Sequence, residues 1–335
     1  MSVRDLLIIG AGPAGLAVAI AAADAQLDYQ VIEKGVLVNS IFNFPPGMTF
    51  FTTPDLLEIG KLPFVTPYEK PTRHEALRYY RRVADSYRLD IAFGEEVVAI
   101  EREQVEGETI FVVDTRSGRG VRRGRRARGV VIAIGYYDHP NVVGIPGEDL
   151  PHVQHYYGDP HAHYRQNVVV VGGKNSAAIA SLEMYRAGAQ VTLVHRGATL
   201  SDRIKYWIRP DIDNRIKEGS IAAHFESRVL EIRPTSVLVE RPGGVHLDVP
   251  ADAVLLLTGY HPDFSLMERA GVTLGPRREP AFNIETMETN VPGLFVAGGL
   301  VGGLDTGAIF IENGRFHGEK IVRTLLQKQL ARSSS

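Results

Sequence analysis

The chain has 335 residues, 44% hydrophobic and 23% charged, and a formal net charge of −2. That balance predicts two ordinary hydrophobic cores and gives no global attraction to nucleic acid or to an anionic membrane surface. There is no cysteine, which excludes disulfides, thiolate metal sites and a dithiol relay, so any electrons the protein passes on reach their acceptor without protein sulfur.

Residues 6–9 are wholly apolar and predict a buried parallel strand. The turn GAGPAG follows, with Gly10, Gly12, Pro13, Ala14 and Gly15, and then the helix-forming run AGLAVAIAAADA. Glycines here let the chain turn tightly and bring backbone N–H groups to a pyrophosphate at a helix N-terminus. The next strand, YQVIEK, ends in Glu33 and Lys34, with Glu33 18 residues beyond Gly15. An acid at that place accepts hydrogen bonds from a bare ribose diol, so this turn predicts FAD or NAD. Glycine also marks ordinary turns, and it is the order of strand, turn, helix and acid-ended strand that favours a nucleotide. Residues 6–23 are apolar enough to raise a signal peptide or membrane span. Gly10, Gly12, Pro13 and Gly15 interrupt the run and Asp24 ends it, leaving no membrane partner and a cytoplasmic protein as the expectation.

Residues 39–64 follow neither the helical nor the strand period, and their Pro and Phe content argues against disorder. They are read as bordering a flat ring with Pro45, Thr52 and Thr53, or else as packing the underside of the sheet. Residues 73–89 predict an amphipathic helix and residues 91–101 a strand, whose Val98 is counted with the first nucleotide's contacts. Six arginines lie between positions 119 and 128. A solvated hairpin between two strands accounts for them more simply than nucleic acid does. The strand GVVIAIG then leaves one domain, with Gly135 turning and Pro140 opening a linker, and residues 252–263 form the return. The expected division is 1–137 with 262–335, an insertion at 145–255, and linkers at 138–144 and 256–261.

The insertion opens with His152, His155, His161 and His163 within 12 residues. Their spacing fits no helical i, i+4 pair and no carboxylate-rich set accompanies them, so no metal is expected. Residues 168–171 repeat the apolar strand, followed by Gly172, Gly173, Lys174, Asn175, Ser176 and Ala177. Lys174 stands where a missing side chain normally admits phosphate, so it must point aside or meet the phosphate itself. His195 and Arg196 begin 18 residues after Ala177, and a cationic pair there suits the 2′-phosphate of NADPH, with Arg203 as a third cation. Trp207 is read as packing. The end, residues 327–335, is read as a fraying helix with a disordered tail.

The order GAGPAG, acid, GGKNSA, HR, TGY and TNVPGLFVAGG resembles the low-molecular-weight flavoprotein disulfide reductases typified by thioredoxin reductase. The tail AIFIENGRFHG is similar to that of the bacillithiol-disulfide-reductase-like members. The resemblance spans nearly the whole chain. It implies an α/β fold of two Rossmann-like, three-layer ββα domains: an FAD domain built from both chain ends and an NADPH domain inserted in it. It also implies a homodimer and hydride flow from NADPH through FAD to a disulfide, with Gly135, Gly298, Gly299, Gly307 and Ala308 closing the flavin site. His155 and Tyr156 stand roughly where thioredoxin reductases carry their CxxC, and become candidates for a place beside the reacting cofactor. Ala14 stands where many bacillithiol-type members have a cysteine. Gly299 replaces the Asp that holds the flavin's ribitol, a contact that Asp305 is expected to supply instead. The acceptor stays open between a small disulfide such as bacillithiol disulfide and an electron-carrier protein, as in ferredoxin or flavodoxin NADP reductases. A flavin-bearing redox sensor with slow oxidase turnover is the third possibility.

Overall fold

The computed structural model describes residues 2–333. The chain forms two compact units, one made of the chain up to His139 and again from Tyr260, the other of Pro140–Gly259.

The first unit is organised by strands β1 (Val3–Ile9), β2 (Tyr29–Glu33), β3 (Ile91–Phe93), β4 (Glu95–Val105), β5 (Glu108–Ser117) and β6 (Arg122–Ile132) in the order β3-β2-β1-β6-β5-β4. β1, β2, β3 and the end of β6 run parallel, whereas β4, β5 and the start of β6 form an antiparallel meander. The eleven-residue β6 serves both layers: Phe111 pairs with Ala127 on the meander side, and Ile9 pairs with Ile132 on the parallel side. Helix Pro13–Asp24 is Ala-, Val- and Ile-rich and buried on nearly every face, because helix His317–Ser333 covers it on the side away from the sheet. Gly318 permits that crossing, since a β-carbon on it would lie 2.6 Å from the Ala17 carbonyl oxygen. The expected fray at 327–335 is helix as far as Ser333, and its last two residues lie outside the described ones.

In the second unit, β7 (Val153–Gln154), β8 (Asn167–Val171), β9 (Gln190–Val194), β10 (Ala222–His224) and β14 (Ala253–Leu256) form a parallel sheet ordered β10-β9-β8-β14-β7. Strands β11 (Arg228–Ile232), β12 (Ser236–Arg241) and β13 (Val245–Pro250) make a separate antiparallel sheet. The fold is therefore mixed α/β with two parallel sheets. No helix among the described residues is long and apolar enough to cross a membrane.

The arginine-rich segment is a hairpin between two strands, as expected: residues 118–121 turn, and Arg122 to Arg128 lie on β6, antiparallel to β5. Glu95 takes Arg123 at 2.6 Å and Arg125 at 2.7 Å; Arg126 pairs with Glu103, and Arg128 lies 3.4 Å from Glu108. Arg125 also donates to Gln30 on β2, tying the meander to the parallel sheet. The Arg125 guanidinium and the Thr115 hydroxyl together hold the Glu95 carboxyl below its usual range.

Strand β15 (Leu294–Val296) adds to β6 in parallel and delivers the chain to Gly298. There the Gly298 N–H donates to Nδ1 of the buried His317, at 3.1 Å, a bond that only an unprotonated Nδ1 can accept. Burial, and after it the charge of Lys320, pushes this imidazole down from 6.5 to about 4. The unfolded chain therefore takes up the proton first: stability is intact above pH 6.5 and is lost as pH falls toward 4, by up to about 3 kcal/mol. Denaturant unfolding followed from pH 7 to pH 4 should show this fall, and His317→Gln should flatten it. An unchanged slope in the variant would contradict the assignment.

Candidate functional site

Both parallel sheets end in the same backbone construction. After β1, Gly10 donates to Ile32 at 2.8 Å and Ala133 donates to Ile9 at 2.8 Å; after β8, Gly172 donates to Val194 at 3.1 Å and Leu257 donates to Val171 at 2.9 Å. The turns are thereby pressed against the neighbouring strand end. A β-carbon on Gly10 would lie 2.5 Å from the Ala133 carbonyl oxygen, and one on Gly172 would lie 2.7 Å from that of Leu257. Both have positive φ, 105° and 154°. Only glycine fits such a place.

Each turn feeds a helix whose N-terminus is left open. Helix Pro13–Asp24 starts at Gly12 and helix Asn175–Arg186 starts at Lys174; neither has a side-chain cap or an acid in its first turn. Helices Arg73–Ser86 and Phe264–Arg269, by contrast, are capped by Thr72 with Glu75 and by Asp263. Uncapped first-turn N–H groups with the positive end of the helix dipole behind them form an anion cradle. A β-carbon on Gly12 would meet nothing within 4 Å, so the front of the first turn is open, while one on Gly15 would lie 1.9 Å from the Gly10 carbonyl oxygen. The cradle fits a dinucleotide pyrophosphate.

Glu33, at the end of β2, is buried and accepts from Ala11 N–H through Oε2 and from Gly35 N–H through Oε1, both at 2.7 Å. Burial raises its carboxyl above the usual value, and the two backbone donors pull against that rise. The acid is thus fixed beside the turn with lone pairs remaining for a diol. Lys34 is paired with Asp138 at 2.9 Å, three residues beyond Gly135 (φ 65°).

Gly298 closes the same site from β15. A β-carbon on it would lie 2.8 Å from that of Ala14, and one on Gly314 would lie 3.4 Å from the Gly298 α-carbon. Gly299 follows with the ring of Tyr136 across it. Gly307 donates to Asp305 at 3.3 Å and Ala308 folds back toward Gly302, so these two belong to a self-bonded loop. Asp305 itself lies 4.0 Å from Arg277. Pro45, Thr52 and Thr53 are half-buried in a segment stitched to residues 71–73 by Phe50 N–H to Pro71 and Arg73 N–H to Met48. Phe44 meets the Tyr137 ring edge-on at 4.9 Å, which brings this segment to the carboxyl end of the sheet, while Ile41, Phe50, Leu57, Ile59 and Phe64 fill the core. Much of the Pro- and Phe-rich stretch thus packs the core, as the second reading has it. Val98 sits at a bulge of β4, a strand packed near β2.

In the second unit Ser201 N–H donates to Gly173, Asn175 Nδ2 donates to the Arg203 carbonyl, and Asn175 Oδ1 accepts from Lys205 N–H, at 2.9, 3.0 and 3.0 Å. These bonds hold the Arg203 loop beside the helix N-terminus. Lys174 and Ser176 are exposed and Ala177 is buried. His195 departs from the cationic role expected of it. Its ring fills the space between two glycines: a β-carbon on Gly173 would lie 2.2 Å from it and one on Gly197 would lie 2.7 Å away. Burial and then the Arg196 charge lower its pKa, so it is neutral near pH 7 and the exposed Arg196 is the cation of the pair. Gly197, directly after HR, was the one local signal.

The histidine-rich segment is dispersed. His155 Nε2 lies 3.4 Å from Glu148, whose carboxylate accepts the N–H groups of Val143, Gly144 and Ile145, so that pair braces a turn of the second unit. Tyr156 follows it, half-buried. His163 bonds Gln166 at 3.0 Å. Among the described residues no group of three or more His, Cys, Asp or Glu is placed to hold a metal.

This geometry matches known proteins. The profile of the family described as pyridine nucleotide-disulphide oxidoreductase covers residues 7–298. Bacilliredoxin reductase Bdr of Bacillus subtilis (strain 168) is 40% identical over 324 residues, covering 96% of this chain and 98% of that protein. The solved structure titled bacillithiol disulfide reductase Bdr (YpdA), from Bacillus cereus, superposes with a TM-score of 0.93 at 39% identity over 98% of this chain and 100% of that one. A ferredoxin–NADP reductase of Ignicoccus hospitalis is 29% identical over 306 residues, covering 88% of this chain and 89% of its own. Relatives of this kind are flavoprotein oxidoreductases that use a flavin and a nicotinamide nucleotide. The chain belongs to the pyridine nucleotide-disulphide oxidoreductase family.

Proposed function

We propose that this protein is an FAD-containing, NADPH-oxidising reductase of a low-molecular-weight disulfide of the bacillithiol class, acting in the cytoplasm as a homodimer. The observation that carries the reading is the pairing of two open helix N-termini with opposite charges. The first has Glu33 fixed beside it and the second has Arg196. An acid favours an unsubstituted ribose, as in FAD, and a guanidinium favours a 2′-phosphate, as in NADPH.

When bound, the two cofactors supply the redox chemistry: NADPH, a proton and one disulfide become NADP⁺ and two thiols, with the electrons relayed by the flavin. The protein's part is placement. N–H groups of the first turn bind pyrophosphate, Glu33 orients the adenosine ribose, and Gly135, Gly298 and Gly299 let backbone come close to the flavin. In the second unit the N–H groups from Lys174 to Ala177 face the other pyrophosphate, and Arg196 and Arg203 recognise the terminal phosphate. No thiol on this chain can form a mixed disulfide, so the substrate must meet the flavin directly.

An electron-carrier partner is disfavoured by the arginine-rich strand. That strand would have to receive an acidic protein, but Glu95, Glu103 and Glu108 already pair with its guanidinium groups. The match to the structure titled bacillithiol disulfide reductase Bdr (YpdA), over 98% of this chain and 100% of that one, supports the disulfide reading.

Arg196→Ala should weaken NADPH roughly ten- to a hundredfold in flavin reduction and leave NADH unchanged, since a charge-assisted contact contributes about 1.5–3 kcal/mol. Equal effects on both nucleotides would contradict the phosphate assignment. Offered bacillithiol disulfide, ferredoxin and flavodoxin in parallel, the enzyme should turn over the disulfide; turnover of a carrier protein alone would replace this reading with the second.

A further inference from the structure

Tyr136 is the residue nearest the flavin side of the first turn that the sequence leaves without a role. It follows Gly135 at the carboxyl end of β6, where ligands of parallel sheets bind. One edge of its ring lies over Gly299: a β-carbon there would come within 2.7 Å of one ring carbon and 2.9 Å of the next. Gly299 adjoins Gly298, which is in contact with Ala14 of the pyrophosphate turn, so Tyr136 stands one step beyond the phosphates. Tyr136 is half-buried, and its hydroxyl has no protein hydrogen-bond partner among the described residues. A half-buried hydroxyl with no protein partner is open to a ligand as well as to water. Asp305 does not complete it, being engaged with Gly307 N–H and facing Arg277.

We propose that Tyr136 is a flavin-contact residue whose phenol donates a hydrogen bond to the ribityl-phosphate stretch of the dinucleotide, and that position 299 is glycine because the tyrosine ring occupies the space of its side chain. The inference rests on the reading of the first turn as a flavin site. Two features support a donor role. Burial, and then the charge of Glu312, raise the phenol's pKa, so it stays protonated. The ribityl-phosphate stretch, for its part, offers hydroxyl and phosphate oxygens as acceptors. The ring and the glycine form a reciprocal pair: with the ring removed, a short acid at 299 has room to reach the same oxygens.

The test is FAD titration of the apoprotein, read by flavin fluorescence quenching and by the visible absorption band, with the thermal midpoint of each apoprotein as a control for folding. Tyr136→Phe should bind FAD roughly five- to tenfold more weakly and shift the bound flavin's spectrum, with the apoprotein midpoint unchanged. Asp305→Ala should stay within about twofold of the parent. Tyr136→Ala should bind weakly, and adding Gly299→Asp to it should recover at least about threefold. A Tyr136→Phe protein indistinguishable from the parent, or a double variant no tighter than Tyr136→Ala, overturns the proposal. Failure of the parent apoprotein to bind FAD at all would instead overturn the flavin reading beneath it.

Discussion

Both glycine turns of this molecule depend on one close approach, made twice. At Gly10 and at Gly172 the chain leaves a buried strand and passes so near the end of the adjacent parallel strand that no β-carbon fits. That contact orients the following helix with its first N–H groups free. A capped helix would spend those donors on its own side chains, as Thr72 and Asp263 do elsewhere in the chain. Leaving them open costs stability in the empty protein and creates affinity for a diphosphate. Buried strands on both sides of each turn hold the geometry: Leu6 to Ile8 and Val130 to Ile132 are inaccessible to water, as are Val169, Val170, Val254 and Leu255.

Charge then makes the two turns different. Glu33 is held by two backbone donors against the rise that burial imposes, so its carboxylate is rigid and directed. In the second unit the imidazole that follows β9 is enclosed by Gly173 and Gly197 and kept neutral, leaving an exposed guanidinium beside it. Neither turn has a thiol near it. Ala14, which packs on Gly298, supplies only a methyl group at the place where a nucleophile could stand, and His317 locks Gly298 from the other side. The backbone at Gly298 is therefore fixed by small residues and one neutral histidine.

Local signals made much of this legible from sequence. The apolar strands at 6–9 and 168–171, the glycine turns and the helix at 73–89 follow from composition and period alone. So does the acid ending β2. What escaped depended on partners distant in the chain. The arginines of 122–128 read as a solvated hairpin, and their pairing with Glu95 and Glu103 on another strand left no local trace. His195 read as a cation because nothing in its own strand shows that it will be enclosed. Tyr136 gave no signal, since its meaning comes from a glycine 163 positions later. His155, a candidate for a place beside the reacting cofactor, gave no sign of its contact with Glu148.

The central claim is that electrons pass from a bound flavin to a disulfide with no sulfur on the protein. The most direct measurement is anaerobic single-turnover mixing: enzyme pretreated with iodoacetamide and desalted is reduced with one equivalent of NADPH, then mixed with bacillithiol disulfide while flavin absorbance is followed. The account predicts reoxidation at a rate that saturates with disulfide concentration, keeps pace with steady-state turnover and is unaffected by the alkylation. A flavin that stays reduced in the presence of the disulfide, and reoxidises only when oxygen is admitted, would contradict it.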